Sequence, residues 1–179
     1  MKTVALFGSA RPTPEQAIYG DTVNAARLLA AHGWTIATGG GPGLMEAANL
    51  GAREICGDGA ICSLGYSIYL PFEAETNSSV QVDTHHNDFF TRLKQFTDDC
   101  DAFIALPGGY GTLLEIMTVV QLLQVGRMED KPLILVGQDW ESIMEHMSDI
   151  LLGANFISAN EKFLWRYTDT ALEAARCLL

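Results

Sequence analysis

The stretch WTIATGGGPGLMEAANL, residues 34–50, decides the fold. Trp34–Thr38 reads as a buried strand and runs straight into five residues, GGGPG, that read as a glycine turn. Helical spacing then begins at Leu44 and continues to about residue 55, weakened by Gly51. Strand, glycine turn and helix in immediate succession is the repeating unit of a parallel α/β sheet.

The same alternation extends in both directions. Strands are expected at residues 3–7, 60–64, 102–106 and 132–136, with a short one near 80–82 in an otherwise irregular segment, 66–84. Helices are expected at 14–32, 87–99, 112–125, 140–152 and 168–178. The strands are continuously apolar rather than alternating, which is the mark of a sheet covered on both faces. No repeat, linker or low-complexity tract divides the 179 residues. The expectation is one domain, residues 1–179: a doubly wound, Rossmann-like parallel sheet with helices on both faces.

Composition excludes several classes of function. The formal net charge is −11 and no Lys/Arg cluster is present, so nucleic acid is not an expected partner. The N-terminal apolar run stops at Gly8, too short for a secretion signal, and no segment approaches the roughly 18 apolar residues of a membrane span. Cys56, Cys62, Cys100 and Cys177 show no CxxC spacing. They read as reduced thiols of a cytoplasmic protein. His85 and His86 are adjacent, do not share a face and have no companion set, so no metal site is expected.

Ligands of such sheets bind beyond the carboxyl ends of the strands. Three segments leave strands in that direction: GSAR (8–11), GGGPG (39–43) and PGGYGT (107–112). Ser9 and Arg11 in the first, Gly39, Gly40, Gly41 and Gly43 in the second, and Gly108, Gly109, Tyr110, Gly111 and Thr112 in the third are the candidate phosphate or ribose contacts. Neither the dinucleotide fingerprint nor a Walker lysine is met, so a tight structural turn at GGGPG remains an alternative.

Glu115 is the only charge in TLLEIMTVVQLLQVG, residues 112–126. Its T-x-x-E spacing from Thr112 fits a capping box, and its place beside a glycine loop fits a partly desolvated functional carboxylate. Both readings stand. The surrounding helix is apolar nearly all round, and so lies in a core or against a second subunit. Arg92 borders the apolar face of the preceding helix, made by Phe89, Leu93, Phe96 and Cys100, whereas Lys94 points away. It is either a surface arginine laid along that face or a guanidinium turned into the cleft.

In order along residues 3–137, GSAR, TGGGPGLMEAANLGA, LPFE…N, FFTRLKQF and DAFIALPGGYGTLLE resemble the LOG family, long described as possible lysine decarboxylases. The resemblance implies a phosphoribohydrolase that splits a nucleoside 5′-monophosphate, a cytokinin nucleotide or AMP, into free base and ribose 5-phosphate. It puts the family's catalytic arginine on Arg92 and its glutamate on Glu115, its phosphate loop on 108–112 and a substrate-contacting glutamate on Glu73. It implies no metal or organic cofactor, and a homodimer through the 112–125 helix. Leu93 stands where the family usually has lysine, a departure that bears on substrate preference. A non-catalytic nucleotide or molybdenum-cofactor carrier on the same scaffold is the alternative.

Overall fold

The structure, a computed structural model, describes residues 2–68, 76–128 and 131–179. Seven strands form one sheet in the order β4-β3-β2-β1-β5-β6-β7, and every neighbouring pair is parallel. They are β1 Lys2–Phe7, β2 Trp34–Thr38, β3 Ser63–Ile68, β4 Val82–His86, β5 Ala102–Ala105, β6 Leu133–Val136 and β7 Arg166–Thr168. The helices are α1 Ala17–Ala31, α2 Leu44–Cys56, α3 Phe89–Asp99, α4 Tyr110–Gln124, α5 Gln138–Gly153 and α6 Ala171–Arg176.

Alternate strand residues feed opposite faces, which is why the strands had to be apolar throughout. Val4, Leu6, Ile36, Ile104 and Ile134 pack on α1, α2 and α6. Ala5, Phe7, Phe103, Leu133 and Leu135 pack on α3, α4 and α5. The doubly wound architecture read from the sequence is thus the observed one.

From β1 the chain steps outward through β2, β3 and β4, then returns to lay β5 on the other side of β1. The β1/β5 junction is therefore the topological switch point, where a crevice opens at the carboxyl ends of the strands. The loops after β1, β2 and β5 all emerge at or beside it.

Several local expectations need correcting. The third strand begins at Ser63, because the Gln81 side chain accepts from the backbone N–H groups of Cys62 and Ser63 and sets its start. Residues 66–84 hold the end of β3 and most of β4, an exposed edge strand whose polar sequence, VDTHH, carries no apolar run. β7 ends at Thr168, where the last helix is expected to begin. Thr170 caps α6 instead, in a capping box with Glu173. Among the cysteines, Cys56 at the end of α2 and Cys62 before β3 form a disulfide with Cα atoms 6.4 Å apart, while Cys100 and Cys177 are free thiols. The bond closes a short loop, so reduction is expected to lower the unfolding free energy by about 2 kcal/mol. Urea titration with and without dithiothreitol measures this.

Gly51, a poor helix residue on propensity, is explained by packing: a Cβ there would collide with the Val23 carbonyl oxygen of α1. Gly51→Ala gains about 1 kcal/mol in helix propensity. It forces two backbones apart at a cost of about 1–3 kcal/mol. A net loss of about 1–2 kcal/mol in chemical denaturation is the expected result.

Candidate functional site

At the switch point lies a cleft of about 250 Å³. Its polar walls are Ser9 and Arg11 from the loop after β1, Gly39 from the loop after β2, Arg92 of α3, and Gly109, Gly111, Thr112 and Glu115 of the β5–α4 segment. All three loops singled out in the sequence therefore contribute to one place.

Backbone bonds lock them together. The Ser9 N–H donates to the Pro107 carbonyl at 3.0 Å, and its own carbonyl accepts from the Leu44 N–H at 2.9 Å. The buried Trp140 indole donates to the Leu106 carbonyl at 2.9 Å, fixing the strand end from which PGGYGT departs. Gly43 has φ +70°, and a Cβ on it would meet the Ser9 carbonyl and Ala10. Only glycine lets the two loops touch.

The candidate residues divide into lining and support. Gly109 and Gly111 border open space in the cleft, at the first turn of α4, where backbone N–H groups have no intrahelical partner. Gly108, Gly40, Gly41 and Gly43 are not among the lining residues. Gly108 makes room for Thr112 Oγ1, and Gly41 for Met45. Tyr110 is 93% exposed and does not line the cleft. Glu73 lies outside the described residues. His85 contacts Ser67 Oγ at 2.9 Å and His86 contacts Gln95 Oε1 at 2.6 Å.

Arg92 and Glu115 meet. Arg92 Nη1 lies 3.1 Å from Glu115 Oε1, with both residues buried. Arg92 is not laid along the surface: its Nε donates to the Tyr66 carbonyl at 2.6 Å, and its guanidinium sits 5.3 Å from the Phe96 ring centre. Asp88 caps α3 by accepting from the Thr91 N–H, which sets the helix start at Phe89, three residues before Arg92. Gly39 completes the seat, since a Cβ there would collide with Arg92 Nη2.

The capping box expected for Thr112 and Glu115 does not form. α4 starts at Tyr110 with Gly109 as its N-cap and no side-chain cap bond. Thr112 is thus the third helical residue, and Glu115 is inside the helix and free to face Arg92. Burial pushes the Glu115 carboxyl up to about 7, Arg92 opposing it through charge and hydrogen bond without cancelling it. A carboxyl poised near neutrality can exchange a proton at working pH.

Sequence reasoning missed the apolar walls of the cleft, Ala10, Met45, Ile68 and Phe89. Phe89 was findable, because it precedes Arg92 by three residues and shares its side of α3. It was assigned to the buried face but is 41% exposed.

A family model described as "Possible lysine decarboxylase" matches residues 45–178. The chain belongs to this family, the LOG family. Among curated relatives, cytokinin riboside 5′-monophosphate phosphoribohydrolase LOG4 of Arabidopsis thaliana is 37% identical over 93 residues, 51% of this chain and 42% of that protein. The chain thus spans less than half the length of that relative. The protein of the same activity name from Mycobacterium tuberculosis is 32% identical over 136 residues, 75% of this chain and 70% of its own. Among solved structures, the molybdenum cofactor binding protein from Rippkaea orientalis superposes with a TM-score of 0.66 at 21% identity, covering 99% of this chain and 94% of that one. The molybdenum cofactor carrier protein of Chlamydomonas reinhardtii gives 0.66 at 18%, covering 99% and 95%. At these identities the two structural likenesses concern the fold alone.

The decarboxylase description does not suit the cleft. Pyridoxal chemistry needs a Schiff-base lysine. Lys2 lies over the Trp34 ring, Lys94 pairs with Asp98, Lys131 donates to the Thr97 carbonyl and Lys162 pairs with Asp149. None lines the cleft.

Proposed function

We propose that the chain is a phosphoribohydrolase acting on nucleoside 5′-monophosphates such as AMP or a cytokinin nucleotide. The observation that carries this reading is the buried Arg92–Glu115 pair, which opens onto a cleft built from three strand-end loops. The names of the curated relatives support the same reaction.

The 5′-phosphate is placed at the first turn of α4, against Gly109, Gly111 and Thr112, with Ser9 and Arg11 alongside. There backbone N–H groups and the helix dipole attract an anion even in a chain of net charge −11. Anchoring the phosphate brings the ribose to Glu115, one turn further into the helix. The C1′–N bond breaks with its electron pair passing to the base. Positive charge develops on C1′ and the ring oxygen, as in glycoside hydrolysis. The Glu115 carboxylate stabilises that charge or takes a proton from the attacking water, whose oxygen ends on C1′ while one of its protons ends on the released base. Arg92 holds Glu115 in place. Tyr66 and Phe96 in turn hold Arg92, which is catalysis by positioning.

A homodimer belongs to this proposal. Between α3 and α4, Phe90, Leu93, Leu114, Met117 and Leu122 line an open groove of about 1100 Å³, and the apolar outer side of α4 suits a second copy. No described helix is long and apolar enough to cross a membrane.

The test is to incubate the pure protein with AMP and with isopentenyladenosine monophosphate, following free base and ribose 5-phosphate by chromatography. Release of base is expected. Tight nucleotide binding without release would instead support a carrier.

A further inference from the structure

A second polar cluster lies beneath the glycine loop, away from the cleft surface. Asn49 of α2 is fully buried. Its Oδ1 accepts from Thr38 Oγ1 at 2.6 Å, and its Nδ2 donates to Ser63 Oγ at 2.9 Å and to the Leu64 carbonyl at 3.2 Å. Asn77 reaches this cluster across a wide gap in sequence, donating from Nδ2 to Asn49 Oδ1 at 3.1 Å. The same Nδ2 donates to the carbonyls of Gly40 and Gly41 at 3.1 and 3.0 Å, and the Asn77 N–H donates to the Gly40 carbonyl at 2.8 Å. The Gly40 N–H is held from the other side by Thr38 Oγ1 at 3.0 Å.

The glycine loop is thus clamped at both its N–H and carbonyl groups, and the clamped residues adjoin Gly39. Gly39 has no room for even a methyl group beside Arg92 Nη2. Where the loop sits therefore decides where the guanidinium can sit. Its other contacts, the Glu115 carboxylate, the Tyr66 carbonyl and the Phe96 ring, come from elsewhere and leave the Gly39 side to the loop.

We infer that Asn77 is a positioning residue: by clamping the carbonyls of Gly40 and Gly41 it seats Gly39 against Arg92 and so holds the Arg92–Glu115 pair in register. The kinetic consequence rests on the phosphoribohydrolase reading, while the structural one does not. A purely local role is the competing explanation, because Asn77 Oδ1 also accepts from the Ser79 N–H in a turn. The two roles use different atoms. Asn77→Asp keeps the Oδ1 acceptor but loses both Nδ2 protons, so it separates them.

The experiment compares parent, Asn77→Asp and Asn77→Ala in two measurements. The first is nucleotide hydrolysis. Both variants should lose kcat by roughly tenfold to a hundredfold, the scale of a small misplacement. KM should stay within about threefold, since the phosphate site on α4 is untouched. The second is the ¹⁵N-correlated proton signal of the Arg92 Nε–H, assigned by its loss in Arg92→Lys; it should shift or broaden in both Asn77 variants while backbone signals of β5 and α5 stay put. Parent-like kcat and an unmoved Nε–H in Asn77→Asp would overturn the inference in favour of the turn. A raised KM with unchanged kcat, or a global loss of dispersion, would overturn it too. If the parent itself releases no base, the reaction assignment fails, and the Nε–H signal alone still decides the positioning role.

Discussion

Glu115→Gln is expected to abolish base release, lowering turnover by at least about a hundredfold, in line with the usual contribution of a positioned acid–base group. The substitution preserves volume and keeps an oxygen that can accept from Arg92 Nη1. It removes only the charge and the exchangeable proton. Fold loss is not the expected outcome, and a stability measurement shows why. Burial raises the Glu115 carboxyl from the ordinary 4.5 to about 7, so the folded protein favours the protonated form. Its contribution to stability is complete below about pH 4.5 and is lost as pH rises through about 7. Glutamine does not titrate. Between pH 4 and pH 8 the unfolding free energies should therefore move in the variant's favour, by about 3 kcal/mol. An inactive protein that is relatively more stable at alkaline pH is the signature of a functional carboxylate. Full activity in the variant would remove Glu115 from the mechanism.

The two residues of that pair were legible in the sequence for different reasons, and the failures nearby are instructive. Glu115 stood out as a lone charge in an apolar helix, and Arg92 as a cation bordering an apolar face. Both signals are periodicity arguments, and periodicity survives small errors in helix ends. The capping box did not survive. It required α4 to begin at Thr112, and the helix begins at Tyr110. A T-x-x-E pattern says nothing of the backbone angles at Gly109, which decide where the first turn closes. The edge strands β4 and β7 were hidden because β4 is largely exposed and β7 only partly buried, and no continuous apolar run is required there.

Contacts made by tertiary packing were the least legible. Cys56 and Cys62 pair because α2 ends beside the start of β3. Asn49 and Asn77 meet because α2 and the segment before β4 converge under one loop. Nothing in their local sequence distinguishes them from surface amides. The Tyr66 carbonyl that anchors Arg92 is invisible to any reading of side chains.

Arg92→Met should be the most damaging single change, and its cost should depend on pH. Methionine fills most of the space but offers no donor. Two losses follow. The Tyr66 carbonyl loses its 2.6 Å partner, an unsatisfied buried acceptor worth about 1–3 kcal/mol at any pH. Glu115 loses the guanidinium paired with it, and the carboxyl, already raised by burial, rises further. At pH 5 Glu115 is protonated in both proteins and only the first loss is felt. At pH 8 the fold must bury an uncompensated carboxylate or take up a proton against the solution, bringing the total to about 3–5 kcal/mol. Denaturant titrations at the two pH values should therefore separate, with the larger loss at pH 8. Adding Glu115→Gln to Arg92→Met should recover most of the difference, because no charge is left to strand. Equal losses at pH 5 and pH 8 would mean that the pair is not coupled as its geometry indicates. Arg92→Lys should not rescue turnover, since a single ammonium cannot serve the Tyr66 carbonyl and the Glu115 carboxylate in the fixed directions that the guanidinium does.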